Sequence, residues 1–274
     1  TGGIWIGSGW LEDASEELST YYGLPQVVQG AIVTAVGSSF PELASVVFAA
    51  ILTGSIELGV GAIVGSAIFN ILVIPALSGI AVEDDIEANR TLVYKEAQFY
   101  MLAVSVLVIT FALAVIYYPD NSAGAPDLAG FVTRPLALIP IGLYGLYIFI
   151  QAQDTGDYEA DTDGIEDIDV RREWGYLAAG LVVILIAVER LVHSVDVIGA
   201  TLGVPEFIMG VTIIAAATSL PDALVSIRAA QEDRGVASLA NVLGSNTFDL
   251  LVAIPVGVLI VGSASIDFAM AVPM

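Results

Sequence analysis

The chain has no cysteine, one histidine and a single lysine, Lys95. Without cysteine there is no disulfide, iron–sulfur cluster or thiolate metal site, and the lone His193 cannot build a multi-histidine metal centre. Positive charge is scarce: 8 Lys and Arg stand against 30 Asp and Glu, a net charge of −22. That excess argues against nucleic acid as a partner and against docking on anionic lipid. It fits a protein adapted to high salt, where screening makes dense carboxylate surfaces tolerable; a cation-attracting surface is the second reading. No cleavable signal-peptide pattern is visible, and Thr1–Ile6 reads as the tail of a helix.

What the chain has in abundance is apolar residues. At 57% hydrophobic it exceeds the roughly 45–50% of soluble domains, and several apolar runs pass the ~18 residues that read as membrane-spanning. The fold class is therefore all-α and polytopic, with the lipid bilayer as its solvent. The apolar pattern predicts a first span ending near Ser19, then spans over about 24–52 (interrupted near Gly37–Pro41), 57–80, 92–118, 128–152, 174–198, 204–230 and 236–262, with 266–274 beginning a ninth.

The sequence repeats. Thr34-Ala35-Val36-Gly37-Ser38-Ser39-Phe40-Pro41-Glu42-Leu43 recurs 180 residues on as Ile214-Ala215-Ala216-Ala217-Thr218-Ser219-Leu220-Pro221-Asp222-Ala223. Gly23, Pro25 and Gly30 fall on Gly203, Pro205 and Gly210, and Gly65-Ser66-Ala67-Ile68-Phe69-Asn70 falls on Gly244-Ser245-Asn246-Thr247-Phe248-Asp249 at a shift of 179. The second span thus maps on the seventh and the third on the eighth. A period of five spans is odd, so the two copies enter the membrane from opposite sides, an inverted repeat. The predicted division is 1–152, an acidic link 153–172, and 173–274. By the repeat, residues 1–19 match 181–199 in a helix that begins near Trp174, so about seven residues are expected in front of Thr1, and most of the ninth span and a tenth beyond Met274.

Basic residues predict the orientation. Arg90, Lys95, Arg171, Arg172, Arg228 and Arg234 follow the third, fifth and seventh spans, and the links after the even spans carry none. The amino end is expected outside and the 153–172 link in the cytoplasm of a cell-membrane protein. Within that link Glu159, Asp161, Asp163 and Gly164 sit like positions 1, 3, 5 and 6 of a calcium loop, but Val170 occupies position 12, where a bidentate glutamate belongs. A solvated acidic loop is the reading preferred over a regulatory calcium site.

Glu42, Asp222 and Asp249 lie in the middle of apolar spans. Each costs roughly 2.5–3.5 kcal/mol at a helix centre, about 8–10 kcal/mol together, and no lysine or arginine lies at matching depth. Three carboxylates cannot relieve one another, so bound cations or protons must. The surrounding groups are all oxygen donors: Ser38, Ser39, Thr218, Ser219, Ser66, Ser245 and Asn70. Such donors suit Na+, Ca2+ or K+ and suit Zn2+ or Cu2+ poorly. Pro41 and Pro221 lack an N–H, which is expected to free carbonyls one turn back, at Ala35 and Ala215, as further ligands. Three Na+ would neutralise three carboxylates, whereas one Ca2+ would leave a residual charge for a proton or K+. No cofactor is called for. The frequent glycines of the four motif-bearing spans read as close helix packing.

At these motifs the sequence resembles the Na+/Ca2+ exchangers of the cation/Ca2+ exchanger superfamily, in both of their repeats, over roughly 23–80 and 203–262, and most closely the K+-dependent branch. The resemblance implies a ten-helix antiporter, not an enzyme, with four central cation sites. It implies that Glu42 and Asp222 bind Ca2+ with carbonyls near Ala35/Ala215 or Thr34/Ile214. Ser39, Ser66, Ser219 and Ser245, with Ala35 and Ala215, would line Na+ sites, and Asn70 and Asp249 would complete the centre, Asp249 bearing on K+. It further implies that the first and sixth spans slide as a pair past the core. The chain departs from many members at Asp222, where they carry glutamate, at Ala62 and Ala67, where they carry asparagine, and at Ala217, in place of the motif glycine.

The function expected is Na+/Ca2+ antiport by alternating access, in a protein working as a monomer, with K+ co-transport as a further possibility and H+/Ca2+ exchange through the same carboxylates as the alternative. An intramembrane aspartyl protease would need Tyr-Asp and Gly-x-Gly-Asp pairs; Asp222 follows Pro221 and Asp249 follows Phe248, so neither fits. A passive pore favours symmetric oligomers with acidic rings, which an internal inverted repeat argues against.

Overall fold

The computed structural model describes residues 2–23, 33, 35–82, 90–154, 168–232 and 235–267. Nearly all of them are helical: α1 (Gly2–Tyr21), α2 (Ala35–Ser38), α3 (Phe40–Thr53), α4 (Glu57–Ile68), α5 (Ile74–Ala81), α6 (Arg90–Tyr117), α7 (Arg134–Asp154), α8 (Val170–Leu202), α9 (Glu206–Met209), α10 (Ala215–Thr218), α11 (Leu220–Gln231), α12 (Gly235–Phe248) and α13 (Ile254–Val261). Wider π-helical turns at Phe69–Val73, Gly210–Ile214 and Asp249–Ala253 join α4 to α5, α9 to α10 and α12 to α13. Two short strands, β1 (Ala129–Thr133) and β2 (Ser263–Asp267), complete the fold.

Among the described residues four helical stretches are long and apolar enough to cross a membrane: Glu57–Ala81, Lys95–Tyr117, Arg134–Gln151 and Gly235–Val261. A fifth, Glu206–Thr218 with Leu220–Gln231, is bent by 41°. Large apolar side chains such as Ile80, Ile116 and Leu72 point outward from these spans, as lipid-facing surface requires.

α1 and α8 pack chiefly on one another, and α8 also rests on α3. α1 buries Ile4, Gly7, Leu11, Ala14 and Leu18, one stripe at three- and four-residue spacing, against α8 and its buried Ile184, Val188 and Val192. The two cross where both lack a side chain: a Cβ on Gly7 would lie 2.9 Å from Gly180 O, and one on Gly180 would lie 2.6 Å from Gly7 O. Only small residues permit such an approach in lipid. Gly3 faces Ala187, Gly7 faces Gly180 and Trp10 stacks on Tyr176, so the helices run antiparallel. They are also repeat counterparts. Their opposed direction is the inversion that the odd span count predicts.

The remaining motif-bearing helices form the core, and their packing exchanges between halves. α2 rests on α12 as α10 rests on α4, and α3 rests on α13 as α11 rests on α5. Gly65 and Gly210 let α4 meet the π turn after α9 backbone to backbone, since a Cβ on Gly65 would collide with Val211 O and one on Gly210 with Leu58 O.

Two expectations fail at the membrane edge. The fifth span begins at Arg134, not near 128, because Ala129–Thr133 is extended, and Ile266 and Asp267 belong to a strand rather than to a ninth helix. β1 and β2 pair antiparallel, from Ala129 with Asp267 to Thr133 with Ser263. Each offers a half-buried surface with β-branched or aromatic residues (Phe131, Val132, Thr133; Ile266), which favours pairing over a lone frayed helix end. The Arg134 guanidinium donates from Nε to Leu259 O at 2.9 Å, tying the fifth span to the eighth beside this ribbon. Residues 268–274, the front of the second span and the calcium-like positions Glu159, Asp161, Asp163 and Gly164 lie outside the described residues.

Candidate cation site

Two breaks make the site. α2 stops and α3 starts at Ser39 (φ −86°, ψ 4°), and α10 stops and α11 starts at Ser219 (φ −80°, ψ −4°). In each, a proline opens the new helix, where its missing N–H costs nothing, and the carboxylate follows within the first turn: Glu42 in α3, Asp222 in α11. The positive ends of two half-helices therefore support the carboxylates, and the carbonyl ends of α2 and α10 face the same region.

Glu42, Asp222 and Asp249 are all 0% exposed, and among the described residues no basic side chain forms a salt bridge with any of them. Ser66 Oγ donates to Glu42 Oε1 (3.4 Å) and Ser245 Oγ to Asp222 Oδ1 (3.1 Å), the same contact in each half. The halves also interlock. Asn70 Nδ2 lies 3.2 Å from Asp222 Oδ2 and 3.0 Å from Asn246 Oδ1, and Ser219 Oγ donates to Ser66 Oγ (2.9 Å). Thr218 borders Glu42 while its hydroxyl donates to Ile214 O (3.1 Å), and Ser38 borders Asp222 while reaching Ala35 O and Asn241 Oδ1, both at 3.3 Å.

Several acceptors have no partner at all: Glu42 Oε2, both oxygens of Asp249, Asn70 Oδ1 and Ser39 Oγ. A buried polar atom without a hydrogen bond costs about 1–3 kcal/mol, and more when charged. Five such oxygens in one region, with no cationic partner among the described residues, form a surface that a cation would satisfy. Among the described residues no three Asp, Glu, His or Cys side chains gather closely enough to clasp one ion. The hydroxyls, amides and carbonyls must therefore supply much of any coordination shell, which is the habit of Na+ and Ca2+ sites.

The structure brings together thirteen of the predicted site residues. Glu42, Asp222, Asp249, Asn70, Ser38, Ser39, Thr218, Ser219, Ser66 and Ser245 contribute side chains, all buried, and Ala35, Ala215 and Ile214 line the breaks. Thr34 lies outside the described residues. The reason given for Ala35 and Ala215 is corrected: their carbonyls are not freed by the prolines, since Ser39 N–H donates to Ala35 O (3.0 Å) and Ser219 N–H to Ala215 O (2.9 Å). The oxygens that lose an amide donor to Pro41 and Pro221 are four residues before them, at Gly37 and Ala217. Three residues stand outside the predicted site set, one of them, Asn246, already part of the repeated motif. Asn246 shares a hydrogen bond with Asn70 and leaves its Nδ2 unpartnered; Asn241 holds Ser38; and Tyr144 of α7 packs edge-on to Phe248, close enough to Asp249 to feel its charge, with its own hydroxyl unpartnered. The motif position of Asn246 was a signal for it. Tyr144 lies outside the repeated blocks and gave none.

The π turns add a feature that no spacing revealed. Those at Phe69–Val73 and Asp249–Ala253 begin with or next to Asn70 and Asp249. Each closes with an amide reaching five residues back, Ile74 N–H to Phe69 O and Ile254 N–H to Asp249 O, just before Pro75 and Pro255. Such single widened turns are common at functional sites, and here they mark corresponding places in the two halves.

The family model for the sodium/calcium exchanger protein matches residues 1–153 and 172–273. An uncharacterized membrane protein of Methanocaldococcus jannaschii is 27% identical over 269 residues, 98% of this chain and 82% of that protein. Human sodium/potassium/calcium exchanger 4 is 46% identical over 66 residues, 24% of this chain and 11% of that one. Among solved structures, the sodium-calcium exchanger NCX_Mj soaked with 10 mM Na+ and zero Ca2+ superposes with a TM-score of 0.66 at 23% identity, covering 99% of this chain and 84% of that one. The H+/Ca2+ exchanger CAX gives 0.70 at 15% identity, over 94% and 65%. These likenesses carry the ten-helix exchanger fold. The chain belongs to the sodium/calcium exchanger family, membrane proteins that exchange ions and are not enzymes.

Proposed function

We propose that the protein is a Na+/Ca2+ antiporter that presents one central site alternately to the two sides of the membrane. The observation that supports Na+ as the driving ion is the neutral part of the site. A proton-coupled exchanger needs neutral oxygens for Ca2+ alone, which takes about 6–8 ligands; here the hydroxyls of Ser39, Ser66, Ser219 and Ser245 and the amides of Asn70 and Asn246 stand buried beside three carboxylates, more oxygens than one Ca2+ shell takes. The surplus hydroxyl and amide oxygens suit further metal cations such as Na+. Ca2+ lies between Glu42 and Asp222, and Na+ takes the serine-lined positions beside them. Asp249, with both oxygens unpartnered, supplies a third charge suited to a further monovalent ion, and the local similarity to a sodium/potassium/calcium exchanger favours K+ there. The protein sits in the cell membrane with its amino end outside and the 153–172 link in the cytoplasm. Both halves of the site come from one chain, so a monomer suffices.

The α1–α8 pair is the moving part. Its two helices hold each other through the tight Gly7–Gly180 crossing, which keeps them together as one body.

The test is 45Ca2+ uptake into proteoliposomes loaded with Na+, with and without external K+. Uptake is expected to need the outward Na+ gradient, to rise with external K+, and to disappear in Glu42→Gln. Uptake indifferent to Na+ and driven by a pH gradient would assign the site to H+/Ca2+ exchange instead.

A further inference from the structure

Among the described residues a row of neutral polar side chains leads away from the site on one side. Ser38 Oγ is 3.3 Å from Asn241 Oδ1, Asn241 Nδ2 donates to Ser226 Oγ (3.2 Å), Ser226 Oγ donates to Ser238 O (3.3 Å), and Ser238 Oγ is 3.5 Å from Ser78 Oγ. None is more than 2% exposed. The row ends between the last turn of α5, the second half of α11 and the first turn of α12. Those helix ends adjoin the links after the third and seventh spans, and by the span count these share a membrane face with the 153–172 link.

The repeat supplies an internal control. Ser226 corresponds to Val46, Asn241 to Ala62, Ser238 to Gly59 and Ser78 to Val258, at shifts of 180, 179, 179 and 180. Every counterpart is apolar or lacks a side chain: a Cβ on Gly59 would lie 2.7 Å from Val46 Cα, and Val46 and Val258 belong to hydrophobic clusters, Val258 also lining an apolar cavity. The fold therefore closes the counterpart region without these polar groups. The four buried polar residues of the seam, three from the second half and Ser78 from the first, are not needed for packing, and buried hydroxyls and amides contribute little net stability. Their oxygens, spaced at about hydrogen-bond distance, instead offer successive partners to a cation shedding water.

We propose that the Asn241–Ser226–Ser238–Ser78 seam is the route by which cations pass between the central site and the membrane face bearing the 153–172 link, closed in this conformation. The proposal rests on the exchange reading for the identity of the ions, but not on the choice of counter-ion.

The chain is free of cysteine, so single cysteines can report on it without further change. S78C, S226C and S238C, with V46C and V258C as counterparts, are treated with a membrane-impermeant cationic thiol reagent in oriented vesicles, the side being fixed by protease access to the 153–172 link. The three seam positions are expected to react from that face alone, at rates that change at least threefold when Na+ is exchanged for Ca2+, while V46C and V258C stay unreacted from it. Seam cysteines that resist the reagent from that face under both ions, or that react no faster than V46C and V258C, overturn the proposal. Labelling needs no gradient, so it succeeds or fails apart from the uptake experiment. Ser226→Val, which installs the counterpart residue, is expected to slow 45Ca2+ uptake about fivefold with equilibrium 45Ca2+ binding unchanged. Equal loss of binding and uptake would assign Ser226 to the site itself and count against a pathway role.

Discussion

The two halves of the central site are built alike and satisfied differently. Asp222 has both oxygens hydrogen-bonded, to Ser245 and Asn70. Its counterpart Glu42 has a long contact from Ser66, the Thr218 hydroxyl at its border and a bare Oε2. Further along, the first half offers the neutral Asn70 and the second offers Asp249 with both oxygens bare. The unmet acceptors thus concentrate at Glu42, Asp249, Asn70 and Ser39. An inverted repeat provides two equivalent frames, and divergence within them decides which oxygens are spent on the protein and which are kept for ions. The polar seam and its dry counterpart show the same divergence along the access routes.

The comparison can be tested from the largest expected effect downward. Removing either central charge, Glu42→Gln or Asp222→Asn, should lower 45Ca2+ uptake by on the order of 100-fold, because a Ca2+ site is tuned above all by ligand charge. Equal losses would show that the halves share one ion, while a large loss in only one variant would break the pairing. Gly180→Val should reduce uptake by more than tenfold and lower the melting temperature, since its Cβ would press on Gly7 O and the backbone cannot give way cheaply. Unchanged transport in that variant would remove α1–α8 sliding from the account. Asn70→Ala leaves Asp222 Oδ2 and Asn246 Oδ1 without their donor. Hydrogen bonds to charged groups are worth about 1.5–3 kcal/mol, so Ca2+ half-saturation in equilibrium binding should rise at least tenfold. Ser66→Ala removes only the 3.4 Å contact to Glu42, and the Na+ concentration for half-maximal exchange should rise about threefold.

Much of this was legible in the sequence. The duplicated Ser-Phe-Pro-Glu and Ser-Leu-Pro-Asp blocks located both breaks, because a proline beside a carboxylate in an apolar run has few structural uses. Span parity announced the inversion that the antiparallel α1 and α8 display. Burial of the predicted side chains followed from their place mid-span. What was not legible depends on partners distant in sequence. The ribbon of Ala129–Thr133 with Ser263–Asp267 pairs residues 130 or more apart in sequence, and each segment alone reads as the start of a helix. The π turns depend on which carbonyl each amide finds, which side-chain type does not encode. The reason given for Ala35 and Ala215 failed because the count back from proline overran the carbonyls at Gly37 and Ala217 that lose their donor. Tyr144 reaches the site from a span without a motif.

The central claim is that both halves close on one Ca2+ which Na+ displaces. Equilibrium 45Ca2+ binding to the purified protein, titrated with Na+, measures it directly in the wild type, Glu42→Gln and Asp222→Asn. The account predicts saturable binding that Na+ competes away in the wild type and no binding in either variant. Binding that persists in one variant, or that Na+ leaves untouched, would contradict it.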